Sequence, residues 1–293
     1  MTSYAVLGPG GVGGLLAAVL AKHGHEVTCI AREETASWLQ ATGISLRSSL
    51  FGDWVVPIDA VATLDRPVDA CFVAVKATAL TDSLTRIPRE AVGDALVVPF
   101  LNGVDHVALL RERYDPARVL PGVIHVESTR VSTGVIEHGS GFARISLASD
   151  SAPVERIDGV AGDLAAAGFE VIADSDETTI LWNKLSFLAT AALLTARYRA
   201  TMGLVRTQHR DELQATAREV AAVSGACGGP GDAEHILGMF EGFNADGKTS
   251  MLRDLEAGRQ MELDAIGGAV LRAAQAHGIP VPTVRALVAA LAA

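Results

Sequence analysis

Short, continuously apolar runs alternate with longer amphipathic stretches through the first half of the chain. Tyr4-Ala5-Val6-Leu7 is apolar throughout and closes at Gly8, the pattern of a strand buried on both faces of a parallel sheet. A helix is predicted over residues 11–23, stopping near Gly24, as helices commonly end at glycine. Residues 26–31, 70–75 and 96–101 are again short and β-rich, each followed by a segment able to form a helix, which gives a βαβ rhythm. Residues 44–47 and 54–58 flank Gly52-Asp53 and predict an antiparallel hairpin inserted into that rhythm. Further on, residues 119–131, 134–138 and 142–148 read as strands joined by glycine-bearing turns. A helix over 153–167 and a last strand over 169–173 follow.

From Asp176 the pattern changes. The β-rich runs stop, and long Ala/Leu/Glu/Arg-rich segments with helical spacing continue to the end, interrupted near residues 225–231. The expected organisation is therefore two domains, 1–174 and 175–293, consistent with a length of 293 residues that exceeds what one core usually organises.

Composition narrows the partners. Hydrophobic residues make up 49% of the chain and charged residues 20%, enough for ordinary cores and unlike a disordered chain. A formal charge of -10, without a local cluster of Lys and Arg, opposes binding to a phosphate backbone, so nucleic acid is not an expected partner. Residues 15–21 are read as a packed helix and not as a secretory signal, because no Lys or Arg precedes them. No apolar run is expected to approach the ~18 residues that cross a bilayer, so neither a membrane partner nor a location outside the cytoplasm is expected. Cys29, Cys71 and Cys227 lack C-x-x-C spacing and are expected to be free thiols; the eight histidines show no ligand spacing, so no metal is expected.

Gly8-Pro9-Gly10-Gly11-Val12-Gly13 fits G-x-G-x-x-G directly after a buried strand and at the start of a helix, the context a dinucleotide site requires. Gly8 permits the tight turn, Gly10 admits the pyrophosphate close to the backbone, and Gly13 lets the helix pack on the sheet. The unpaired N–H groups of the helix start face the phosphates. The fold class is accordingly α/β: an N-terminal Rossmann-type dinucleotide-binding domain followed by an all-α C-terminal domain. At the end of the second strand, where NAD enzymes place an acidic residue, this chain has Ala31-Arg32. A guanidinium there pairs with a 2′-phosphate, which favours NADPH (NADP+), although Glu33 and Glu34 follow and leave NADH open.

Lys76 and Asn102 end predicted parallel strands, at the sheet edge where α/β proteins bind ligands. In the helical half, Lys184 interrupts a largely apolar segment within Trp182-Asn183-Lys184-Leu185. Ser250 and Asp254, four apart, are expected on one helix face, with Glu262 two turns further along the same helix.

Together these motifs resemble the ketopantoate reductase family. The resemblance runs from the glycine motif through Val75-Lys76, Asn102-Gly103, Trp182 to Leu185 and Ser250-Met251-x-x-Asp254 with Glu262, to the closing His277-Gly278-Ile279-Pro280-Val281-Pro282. It implies NADPH-dependent reduction of 2-dehydropantoate, with Lys184 as the catalytic lysine and Glu262 as the active-site acid. Ser250 is implied to grip the substrate carboxylate, Asn102 to contact both substrate and cofactor, and Lys76 and Glu262 to lie near the cofactor. Members of the family often carry asparagines four and eight residues after the lysine. Here the substrate-binding positions are Leu188 and Ala192, which points to a 2-oxo acid with a more apolar tail. Two other readings are a dehydrogenase of the 3-hydroxyacid or 6-phosphogluconate type, disfavoured by the lack of an asparagine three residues before Lys184, and a non-catalytic NADPH sensor, opposed by the retention of Lys184, Ser250 and Glu262. The sequence leaves open whether the apolar faces of the last helices bury within the chain or in a homodimer.

Overall fold

The computed structural model describes residues 1–174 and 176–293, which form two compact units. The first comprises Met1–Leu101 with His106–Glu177; the second comprises Asn102–Asp105 with Thr178–Ala293. The boundary expected between 174 and 175 falls at residue 175, outside the described residues.

The first unit opens with β1 (Ser3–Leu7), α1 (Gly11–Lys22), β2 (Glu26–Ile30) and α2 (Glu33–Thr42). It continues through β3 (Ile44–Ser48), β4 (Trp54–Val56), β5 (Asp59–Val61) and β6 (Ala70–Val73), then α3 (Leu80–Leu84), α4 (Arg89–Val92) and β7 (Leu96–Pro99). Five of these strands form a parallel sheet in the order β5-β2-β1-β6-β7. Its strand order reverses at β1, so the carboxyl end of β1 is the switch point at which such sheets bind ligands. Strand β5 is absent from the sequence expectation, because three residues with an exposed Asp59 carry no periodic signal. The run expected over 54–58 instead stops at Val56, where Pro57 has no N–H to donate to a ladder.

The rest of the unit comprises α5 (His106–Arg113), β8 (Gly122–His125), β9 (Ser128–Ser132), β10 (Val135–His138), β11 (Arg144–Ala148), α6 (Val154–Ala166) and β12 (Glu170–Asp174). The single strand expected over 119–131 is two strands in different sheets: β8 pairs with β11, and β9 pairs with β10. The break falls at Glu127, whose N–H bonds Ser140 Oγ at 3.0 Å and whose carbonyl accepts from Gly139 N–H at 2.8 Å, outside either ladder. The β3–β4 hairpin is antiparallel as expected, but β3 also pairs in parallel with β10, giving a four-stranded sheet β4-β3-β10-β9. Residues 13–20 of α1 are all buried, sharing one apolar core with β1 and with Ile44, Leu46 and Ile136 of the second sheet. Covered in this way, the helix has no polar face to offer water. Cys29 and Cys71 lie in this unit as buried thiols, and burial pushes both up to about 12. Its last residue, Glu177, accepts two bonds from Arg111 on α5 at 2.6 and 2.7 Å, a forked pairing that offsets the desolvation of a buried carboxylate.

The second unit is helical: α7 (Glu177–Tyr198, from Thr178 onward), α8 (Met202–Gln208), α9 (Arg210–Ala226), α10 (Ala233–Gly242) and α11 (Ser250–Glu256). A π-helical turn over Asp264–Gly268 then runs into α12 (Ala269–His277), and α13 (Pro282–Ala292) closes the chain. Leu185, Leu193, Val220, Phe240, Ile266 and Leu287 lie in its core. Contrary to the sequence expectation, α7 is long and apolar enough to cross a membrane, with 22 residues and a mean hydropathy of 1.2 over its most apolar window. That window is 72% buried, as in the core helix of a folded domain. The continuous helix expected through Ser250, Asp254 and Glu262 is also corrected. Gly258, at φ +64, follows the end of α11, and Glu262 lies just before the π-helical turn.

Candidate active site

The glycine motif forms the turn between β1 and α1. Gly8 adopts φ +87, and a Cβ there would stand 2.5 Å from Val75 Cγ1. A Cβ on Gly13 would stand 2.3 Å from the Gly8 carbonyl oxygen, so only glycine lets α1 approach the turn. Gly10 differs: a Cβ would meet no protein atom closer than 3.9 Å. The protein does not need that position bare for its own packing, which leaves room for a group approaching from outside. Helix α1 has no side-chain cap and no acidic residue in its first turn, so its N–H groups and positive dipole end suit an anion. Pro9 and Val12 complete the turn. Gly11 has a role beyond the motif: a Cβ there would stand 2.2 Å from the Ser128 carbonyl, and Ser128 Oγ donates to the Gly11 carbonyl at 2.7 Å. The sequence carried no signal for this buttress, since β9 lies more than a hundred residues downstream.

Arg32 caps α2 just beyond β2, with Glu33 and Glu34 in the first helical turn. All three are exposed, and the Arg32 guanidinium makes no hydrogen bond or ion pair among the described residues. This edge of the first unit therefore offers a cation beside the glycine turn's sheet edge. The loop fits a dinucleotide and Arg32 fits a 2′-phosphate. Lys76 lies in the same unit, exposed and three residues beyond β6, at the start of a short 3-10 turn.

In the second unit, Asn102 and Glu262 meet from distant stretches of chain, and Lys184 on a third feels the charge of Glu262. Asn102 Nδ2 donates to Glu262 Oε2 at 3.0 Å, and Glu262 is buried. Lys184, partly buried on α7, is pushed down to about 8 by desolvation of its ammonium, while the charge of Glu262 works in the opposite direction. An amine tuned in this way remains largely protonated near neutrality and yields its proton more readily than an ordinary lysine.

The remaining expected residues are spread along α7. Leu188, one turn beyond Lys184, is partly exposed and packs at the edge of the second core. Ala192 is fully buried in that core, so its assignment to substrate contact is corrected: its methyl group presents no surface. Ser250 is exposed at the first residue of α11. Its neighbour Thr249 caps that helix and lies 2.8 Å, Oγ1 to Oγ1, from Thr195 on α7. Thr195 is three turns past Lys184, about 16 Å along the helix axis. Asp254, buried, accepts from Arg259 Nε at 2.9 Å. A cavity of about 320 Å³ near the amino ends of β1 and β2, lined by Tyr4, His25, Asp59 and Arg66, includes none of these residues.

Comparison with known proteins agrees with this geometry at both ends of the chain. Residues 4–150 match the family model of ketopantoate reductase PanE/ApbA, and residues 176–293 match the model of its C-terminal part. The 2-dehydropantoate 2-reductase of Mycobacterium tuberculosis is 31% identical, over 100% of this chain and 97% of that protein. The uncharacterised oxidoreductase YkpB of Bacillus subtilis is 26% identical, over 98% of this chain and 97% of its own. The crystal structure of a PanE/ApbA family ketopantoate reductase from Ralstonia eutropha superposes with a TM-score of 0.88 at 28% identity, covering 99% of this chain and 97% of that one. An uncapped glycine turn in one unit, a tuned lysine in the other and family matches to both halves lead to one assignment: the chain belongs to the ketopantoate reductase family, oxidoreductases that act on CH–OH groups with NADPH.

Proposed function

We propose that this protein reduces a 2-oxo acid with an apolar tail to its 2-hydroxy acid, using residues 1–174 to bind NADP and residues 175–293 to bind substrate. The observation that carries the reading is the Asn102–Glu262 hydrogen bond, from two distant stretches of chain, with the desolvated Lys184 ammonium under the charge of Glu262. Gly8, Pro9, Gly10, Gly11, Val12 and Gly13 hold the pyrophosphate and Arg32 the 2′-phosphate, with Lys76 near the nicotinamide. NADPH, when bound, supplies the hydride that goes to the carbonyl carbon.

As negative charge builds on the carbonyl oxygen, the Lys184 ammonium stabilises it and delivers the proton that completes the hydroxyl. Glu262, fixed by Asn102, keeps the ammonium charged before the reaction and orients it afterwards. Ser250 holds the carboxylate end, so that the carbonyl keeps one face toward the hydride. Leu188 sets the tail preference, because an apolar wall leaves a substrate hydroxyl without a partner. The formal charge of -10 supports a small-molecule partner in place of nucleic acid, and the mostly buried α7 supports a core helix in place of a membrane span.

Steady-state kinetics with NADPH test the substrate. The expected outcome is a kcat/KM for branched apolar 2-oxo acids above that for ketopantoate, and a Leu188→Asn variant whose ratio moves about tenfold toward ketopantoate. A strong preference of the unaltered enzyme for ketopantoate overturns the apolar-tail reading. NADPH binding without turnover on any 2-oxo acid overturns the enzymatic one.

A further inference from the structure

We propose that Arg272 is a positioning residue for the Asn102–Glu262 pair, fastening the segment that carries Asn102 to the helical turn that follows Glu262. Arg272 Nη2 and Nε donate to Asp105 Oδ2 at 2.6 and 3.1 Å. Its Nη1 donates to Asp264 Oδ1 at 2.7 Å, and Nη2 also reaches the Asp264 carbonyl at 3.0 Å. Asp105 lies three residues after Asn102 and Asp264 two after Glu262, so one guanidinium bridges the two stretches that supply the donor and acceptor of the 3.0 Å bond.

Two glycines make this approach sterically feasible. Gly103, at φ +86, brings the Asn102 segment so close to the π-helical turn that a Cβ would stand 2.3 Å from the Ala265 carbonyl. A Cβ on Gly268 would stand 2.5 Å from Asp264 Oδ1 and 3.1 Å from Arg272 Nη1. Asp264 and Arg272 are eight residues apart on one helical run, beyond the usual three or four for a side-chain pair, and they meet across the bare Gly268. Arg272 and Asp105 are about half exposed, where an ion pair adds little to stability. What the contact supplies is register. If the clamp loosens, Glu262 drifts from Lys184 and the ammonium loses a charge that favours it.

The inference rests on the proposed roles of Lys184 and Glu262, and its test separates the two. Arg272→Leu, Arg272→Lys, Gly268→Ala and Lys184→Ala are compared in full-length protein for kcat, KM, NADPH dissociation constant, melting temperature and the pH at which kcat falls on the alkaline side. Arg272→Leu is expected to lose about tenfold in kcat with NADPH affinity within about twofold, and its alkaline limb moves to lower pH. Arg272→Lys recovers part of both. Gly268→Ala adds a methyl group to helical backbone, which favours the fold, yet pushes Asp264 and Arg272 apart; melting holds or rises while kcat falls and the limb moves the same way. Wild-type kcat and limb in the clamp variants, with Lys184→Ala inactive, overturn the clamp alone. A loss that follows melting temperature with an unmoved limb also overturns it. Full turnover by Lys184→Ala removes the reading of the site and the clamp with it.

Discussion

The glycine turn of the first unit and the charged centre of the second are built in opposite ways. In the turn, side chains are missing at fixed places within one hexapeptide, where Gly8 and Gly13 are bare because protein atoms crowd them and Gly10 is bare although nothing in the protein does. In the centre, the side chains proposed to act come from three distant stretches, and Asn102 and Glu262 are held together by one 3.0 Å bond. A contiguous site is tuned by backbone shape. A dispersed one is tuned by electrostatics, and is only as accurate as the contacts that hold its parts.

The strongest way to break this contrast is to remove the amine. Lys184→Ala is expected to lower kcat by about 10³-fold while NADPH affinity, measured by fluorescence titration, stays at the wild-type value. In the intact enzyme the reductive kcat should fall as pH rises through about 8, because the proposed proton donor is the ammonium and is lost above that value. In Glu262→Gln the fall should come at lower pH, since removing a neighbouring negative charge makes the ammonium easier to deprotonate.

A pair of alanine substitutions sharpens the other side. Gly10→Ala should melt like wild type and bind NADPH some tenfold or more weakly, because its methyl group fills space that only the ligand needs. Gly13→Ala should lose stability itself, by roughly 1–3 kcal/mol in chemical denaturation, because its methyl group meets backbone. Equal NADPH affinity in Gly10→Ala and wild type would remove the pyrophosphate from this turn. The smallest effect expected is at the edge: Arg32→Ala should lower the preference for NADPH over NADH by about tenfold, read as a ratio of kcat/KM values, with the NADH value little changed.

The same contrast explains what could be read from the chain. The βαβ rhythm and the glycine turn were legible because both are local: β1 is buried on both faces and so shows as an unbroken apolar run, and the turn demands its glycines in fixed order. The helical second half was legible for the same reason. Strand β5 was not, being three residues paired only with a distant β2, and the switch between β8 and β9 was hidden because the apolar pattern runs on through the point where the backbone changes partners. Lys184 stood out as a charge in an apolar segment. The run from Ser250 to Glu262 reads as one helix from the spacing of its charged residues alone, whereas Gly258, at φ +64, follows the end of α11. Arg272 and Asp105 gave no signal singly. Asp264, Gly268 and Arg272, spaced four apart, are the trace that a search along one helix face finds.

The buttress of Ser128 on Gly11 bears on how the protein matures. The strand this loop leans on is synthesised only after more than a hundred further residues. A nascent chain halted before β9 therefore holds the whole glycine motif and lacks the strand that buttresses it.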